Sequence, residues 1–164
     1  MKKFLASNLF LLFFLCFLLY FPFLGFNVLW DFDEGYFVSI AKEMYEKGEW
    51  IVPTYNGNEL GDKPILIFGG MLVSFSIFGV SEFSVRFPSI LYGTGTVFLT
   101  YFIARRLFGN RTLALRSAAV LATMILFGVE TRGTTCDGAM IFFDQLCRHK
   151  SLKIISLFTV FCPA

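Results

Sequence analysis

Between Phe4 and Trp30 the chain runs for 27 residues without a charged side chain, well past the roughly 20 apolar residues that cross a bilayer as a helix. Three more uncharged runs follow: 18 residues from Pro64 to Ser81, 18 from Phe87 to Ala104, and 13 from Ser117 to Val129. In hydrocarbon, backbone N–H and C=O groups have no water to bond, and a helix satisfies them within the run itself. Across the 164 residues, 56% are hydrophobic and 16% charged, against about 25% charged in ordinary soluble domains. A soluble globular domain is excluded, and the expected class is all-α with several membrane helices.

The chemistry of isolated residues excludes more. Cys16, Cys136, Cys147 and Cys162 show no CxxC spacing and His149 is the only histidine, so neither a zinc site nor a disulfide scaffold can be drawn. The 14 basic and 12 acidic residues form no basic stripe, and nucleic acid is not a partner. The amino terminus carries Lys2 and Lys3 before its apolar run, as secretory signals do. That run is about twice a signal's apolar region and no small-x-small cleavage site follows it, so it reads as a retained span. Asn110-Arg111-Thr112 has the form of a glycosylation sequon, yet the topology below puts it in the cytoplasm.

Charge decides the topology. Arg105, Arg106, Arg111 and Arg116 lie in one short stretch without an acid. Over residues 1 to 116, a three-span arrangement puts 6 basic residues inside and 4 outside, whereas counting Pro64–Ser81 as a fourth span gives 3 and 7. The positive-inside rule selects three spans. The expected order is a cytoplasmic amino terminus, a span over Phe4–Trp30, an outer segment from Asp31 to Arg86, a span to Ala104, a basic inner hairpin, and a span from about Thr112 to Thr131. Arg116 then snorkels to the inner interface. The localisation that follows is the cell (inner) membrane, multi-pass.

Within the outer segment, Tyr36, Phe37, Ile40, Ala41, Met44 and Tyr45 fall on one face of a helix, with Glu43, Glu46 and Lys47 away from it. The pattern predicts an interfacial helix resting on the membrane surface, started by the acids around Asp33 and stopped by Gly48. Asn56-Gly57-Asn58 is turn chemistry. Pro64–Ser81 becomes an apolar element lying in or against the outer leaflet.

Asp31, Asp33, Glu34, Asp62, Lys63 and Asp137 all fall at the same outer surface. Carboxylates there face both lipid and water, where their protonation can be tuned for base work, and a lysine offers an ammonium to a phosphate at headgroup depth. Acids plus a lysine at a lipid surface suit transfer of a group from a lipid phosphate to a hydroxyl, with phosphate as the leaving group. The structural alternatives are plain: Asp33 and Glu34 as helix caps, Lys63 as a flanking anchor, Asp137 as a solvated residue at a span's end. Glu82 and Arg86, four apart, read as a helical ion pair.

An ordered series of motifs resembles one family. Leu29-Trp30-Asp31-Phe32-Asp33-Glu34-Gly35-Tyr36 is followed by Gly48-Glu49-Trp50-Ile51-Val52-Pro53, Asp62-Lys63-Pro64, Glu82-Phe83-Ser84-Val85-Arg86-Phe87-Pro88 and Arg132-Gly133-Thr134-Thr135-Cys136-Asp137. The series resembles the bacterial lipid-linked sugar transferases related to aminoarabinose transferase and the protein O-mannosyltransferases, which have the GT-C membrane fold. The resemblance implies an inverting transferase that takes a sugar from a polyprenyl-phosphate carrier at the outer face and passes it to a lipid or protein acceptor. It implies that Asp33 is the base or its close partner, Glu34 positions the acceptor, Lys63 holds the carrier phosphate and Asp137 completes the acidic site, with Arg132 and Asp62 as supporting residues. No cofactor is identified, and a requirement for a divalent cation is left open.

Family members are several times longer. Residues 1–143 read as the amino-terminal part of such a membrane domain, whereas 144–164 read as an aberrant tail, because Asp144 to Lys150 interrupts the apolar run begun at Gly138 and the closing run Ile154–Ala164 is 11 residues, too short to cross. The expectation is a truncated GT-C-like chain, inactive alone. The alternative from another class is a non-catalytic small membrane protein or partner subunit, whose acids only cap and anchor.

Overall fold

The computed structural model describes residues 2–22, 32–60, 65–134 and 136–161, with the side chains of 2–7, 32–33, 136 and 152–161 outside the description. Seven helices and one two-stranded hairpin make up the described chain: α1 (Lys2–Tyr20), α2 (Phe32–Lys47), β1 (Thr54–Tyr55), β2 (Asn58–Glu59), α3 (Ile65–Phe78), α4 (Glu82–Phe108), α5 (Arg111–Thr123), α6 (Ile125–Arg132) and α7 (Cys136–Phe161). The all-α expectation holds, apart from the small hairpin.

Helix α4 organises the rest. At about 1.5 Å per residue, its 27 residues span about 40 Å, and among the described residues it is long and apolar enough to cross a bilayer by itself. Its start is a capping box: the Ser81 hydroxyl accepts from the Ser84 N–H while the Ser84 hydroxyl accepts from the Ser81 N–H. Its end is Gly109 at φ 63°, the left-handed conformation that glycine adopts without a Cβ penalty. Asn110 then caps α5, its side-chain oxygen accepting from the Thr112 N–H at 2.9 Å. The sequon asparagine is thus already committed to a helix start.

Two cores lie along α4. One joins it to α1 and α5 through Leu12, Cys16, Tyr20, Ile90, Val97 and Tyr101, with Ala114, Ala118 and Ala122 presenting a small-residue face that lets α5 approach closely. The other joins its first turn, through Val85, to α2 and α3: Ile40, Ala41 and Met44 pack on Ile67, Phe68, Met71, Leu72 and Phe75. The amphipathic face expected of α2 is present, but it is buried against α3 rather than laid on lipid. Ile40, Ala41 and Met44 are fully enclosed, because α3 supplies a matching apolar surface. Helix α3 has 14 residues, about 21 Å long, short of the roughly 30 Å hydrocarbon core, in keeping with an element that lies against the spans.

The third expected span differs from its prediction. Thr112–Thr131 is two helices, α5 and α6, bent by 65° at Met124, whose backbone is extended. No proline or glycine stands at the bend; a tertiary contact accompanies it. The Tyr20 hydroxyl donates to the Ala122 carbonyl at 2.8 Å in a buried bond, taking an acceptor that a straight helix would satisfy from residue 126. Glycines in α4 seat the far arm. A Cβ at Gly93 would collide with the Thr131 side chain, and one at Gly95 with the Phe142 ring, so α6 and α7 both contact bare α4 backbone.

Helix α7 runs without a break through Asp144–Lys150. There Gln145 accepts from the Thr100 hydroxyl at 3.2 Å, and the His149 ring lies 6.1 Å from that of Phe102. The charges that interrupt the apolar run do not interrupt the helix. Arg148 and Asp144 pair on its exposed side at 2.8 Å, one turn apart.

Candidate functional site

Glu34, in the first turn of α2, is 6% exposed although it carries a charge. Burying a carboxylate is costly unless it is paired and hydrogen-bonded, and both conditions are met. Arg86, itself 7% exposed, donates from Nε to Oε1 at 2.9 Å and from Nη2 to Oε2 at 3.1 Å, the fork geometry in which guanidinium matches carboxylate. The buried Thr134 hydroxyl adds a third bond, donating to Oε1 at 3.1 Å. One carboxylate therefore ties together the start of α2, the start of α4 and the turn between α6 and α7. Arg86 reaches across to another helix, where the sequence pattern had paired it with Glu82 on its own.

Two of the expected site residues stand next to this junction in the chain. Asp33 directly precedes Glu34 in α2, and Asp137 stands three residues after Thr134, exposed in the first turn of α7. Asp137 is therefore open to solvent at the start of α7. The side chain of Asp33 lies outside the described residues, as do Asp31, Asp62 and Lys63. Arg132, expected as a supporting residue, donates from Nη2 to the Pro22 carbonyl at 2.9 Å and so clamps the end of α6 to the chain leaving α1. Among the described residues no cluster of His, Cys, Asp or Glu is arranged to hold a metal ion.

Two further features flank the junction. Glu43 on α2 accepts from the Asn56 N–H at 2.8 Å, the Gly57 N–H at 2.9 Å and the Lys47 ammonium at 2.8 Å. Both hairpin residues have positive φ, 51° and 79°, the conformation of a tight two-residue turn, whose N–H groups point at the carboxylate. The Lys47 ammonium and those two N–H groups hold the Glu43 carboxyl down to about 2. Between α3 and α4 runs an apolar groove of about 500 Å³, bordered by Gly69, Gly70, Ser74, Phe78, Pro88 and Tyr92.

Sequence reasoning missed Thr134 and the true partner of Arg86. The signal was present: an arginine one turn into an apolar helix, and a threonine-rich turn before Asp137, both inside the motif series. Intramembrane or membrane-edge charges rarely stand without an opposite charge from another element.

The comparisons agree with this architecture. Residues 62–147, just over half of the chain, match the family described as dolichyl-phosphate-mannose-protein mannosyltransferase. A protein of uncharacterised function from Aquifex aeolicus (strain VF5) is 35% identical over 146 residues, covering 89% of this chain and 28% of that protein. The undecaprenyl phosphate-alpha-4-amino-4-deoxy-L-arabinose arabinosyl transferase of Yersinia pestis (strain Pestoides F) is 34% identical over 106 residues, 64% of this chain and 19% of the transferase. The crystal structure of ArnT from Cupriavidus metallidurans bound to undecaprenyl phosphate superposes with a TM-score of 0.70 at 22% identity, covering 93% of this chain and 27% of that one. That likeness shows the GT-C fold. The chain spans between a fifth and three tenths of the length of these relatives.

Proposed function

The chain belongs to the dolichyl-phosphate-mannose-protein mannosyltransferase family, and from that premise we propose that it forms the amino-terminal part of a glycosyltransferase of the inner membrane. The reaction moves a sugar from a polyprenyl-phosphate donor to an acceptor hydroxyl at the outer face, with the amino terminus of the chain in the cytoplasm. The acceptor oxygen bonds to the anomeric carbon as the bond from that carbon to the phosphate oxygen breaks. Polyprenyl phosphate leaves with the bonding electrons, and the acceptor proton passes to a carboxylate. Asp33 is the proposed base, and Asp137 completes the acidic site. Lys63 offsets the charge that grows on the phosphate as it departs, which is where a fixed ammonium lowers the barrier most. Glu34, spent on Arg86 and Thr134, acts on this chemistry through its neighbours.

The observation that carries the proposal is the junction at Glu34, which joins the segment bearing Asp33 to the segment bearing Asp137. A pair of acids that only capped two helices would need no shared buried tether. The apolar groove between α3 and α4 begins just after Lys63-Pro64 in the chain and suits an isoprenoid tail. We further propose that transfer itself needs the part of the family fold that this chain does not span, whereas donor recognition begins here.

The test is titration of undecaprenyl phosphate into the chain held in phospholipid nanodiscs, read by native mass spectrometry. Saturable binding is expected, and it should weaken about 10- to 150-fold in Lys63→Met, the equivalent of losing a charge-assisted contact of about 1.5–3 kcal/mol. Equal binding by the wild type and the variant would remove Lys63 from the site, and no saturable binding by either would overturn donor recognition by this chain.

A further inference from the structure

We propose that Arg86 and Thr134 are positioning residues that fix the register between the two acids, using Glu34 as the common anchor; the inference rests on the reading of Asp33 and Asp137 as working acids. Three strands of observation support it. First, the bonds converge on one carboxylate from two directions: Arg86 from the start of α4, at 2.9 and 3.1 Å, and Thr134 from the turn before α7, at 3.1 Å. Second, all three side chains are under a tenth exposed, where hydrogen bonds hold geometry against little competition from water. Third, among the described residues α2 and α7 share no extensive direct packing: α2 rests on α3, and α7 rests on α4 and α3. The bond from Thr134 to Glu34 thus ties the chain next to Asp137 directly to the chain next to Asp33.

The chemistry gives the arrangement a purpose. A base and a second acid that share one sugar must be held within a few tenths of an ångström of the productive geometry, and side chains on separate helices reach that only when a second layer of bonds holds the helices. A bidentate arginine fixes orientation as well as distance, which a lysine cannot do. Thr134 supplies the remaining constraint, because it sits on the short connection from α6 and reports the position of α7 to Glu34.

The experiment is a distance measurement that needs no turnover. A Cβ at Gly35 or at Gly138 meets nothing within 4 Å, so nitroxide labels at Gly35→Cys and Gly138→Cys, with the four native cysteines replaced by serine or alanine, leave both acids and the triad intact. Dipolar spectra of the chain in nanodiscs should give one narrow distance distribution. Thr134→Val, which keeps the shape and removes the donor, should broaden it; Thr134→Ser, which keeps the donor, should restore it; Arg86→Lys should broaden it while circular dichroism shows the same helix content. Distributions unchanged in Thr134→Val and Arg86→Lys would overturn the positioning role. Broadening in Thr134→Ser equal to that in Thr134→Val would overturn it too, since loss of packing rather than of the bond would then be the cause. Either failure leaves donor binding through Lys63, measured separately, standing or falling by its own titration.

Discussion

Arg86 and Glu34, 52 residues apart in sequence, form a two-pronged ion pair at 2.9 and 3.1 Å with both side chains 8% exposed. Removing one partner leaves a buried charge uncompensated, which typically costs about 3–5 kcal/mol. Arg86→Met should therefore lower unfolding stability by that amount. Glu34→Leu combined with Arg86→Met should cost less than the two single changes added together, because the second change removes the stranded charge. Equilibrium unfolding in mixed micelles checks both statements, and additive losses would contradict the pairing.

The Glu43 carboxyl titrates at about 2, against an ordinary value of 4.5, because Lys47 and the Asn56 and Gly57 N–H groups favour its charged form. A depressed carboxylate stabilises the folded state fully above its ordinary value and loses that contribution as pH falls toward its folded one. Hydrogen exchange at Asn56 and Gly57, corrected for the intrinsic pH dependence of exchange, should show protection that holds at pH 6 and falls between 4.5 and 2. Glu43→Gln should flatten that profile. A wild-type profile already flat across the interval would contradict the tether.

Tyr20 supplies a hydroxyl to the Ala122 carbonyl at 2.8 Å, beside the bend at Met124. Tyr20→Phe keeps the ring and leaves a buried acceptor unmade, a loss of about 1–3 kcal/mol. The expected outcome is a less stable protein in which amide exchange quickens first around the bend. Uniform acceleration across α5 and α6 would instead mark the bond as incidental to it.

What was legible in the sequence was whatever period and charge encode directly. The apolar face of α2, the stop at Gly48, the turn at Asn56-Gly57 and the short apolar α3 follow from local chemistry, and the structure has them all. The bend within Thr112–Thr131 was not legible, because Met124 carries no helix-breaking signal and the bond at Ala122 comes from Tyr20, 102 residues away. The partner of Arg86 was misread for the same reason: spacing within one helix favours Glu82, whereas burial at a junction of three elements selects Glu34. The helical course of residues 144–150 was hidden by their charge, which argues against a span but not against a helix. Of the candidate site, spacing alone nominated the acids; only three-dimensional contacts separate Glu34, enclosed in its triad, from the exposed Asp137.

The central claim is sugar transfer with Asp33 as base, and its most direct measurement uses a chimera in which this chain replaces the matching 28% of the Aquifex aeolicus relative. Transfer of labelled sugar from a polyprenyl-phosphate donor is followed in proteoliposomes, with Asp33→Asn beside the parent. General-base assistance is worth roughly 100- to 10,000-fold, and Asn keeps most of the capping capacity of Asp. The account predicts an active parent and a rate lowered by that order in Asp33→Asn, with membrane insertion and undecaprenyl phosphate binding preserved. An active parent whose rate is untouched by Asp33→Asn would contradict it, leaving Asp33 a helix cap.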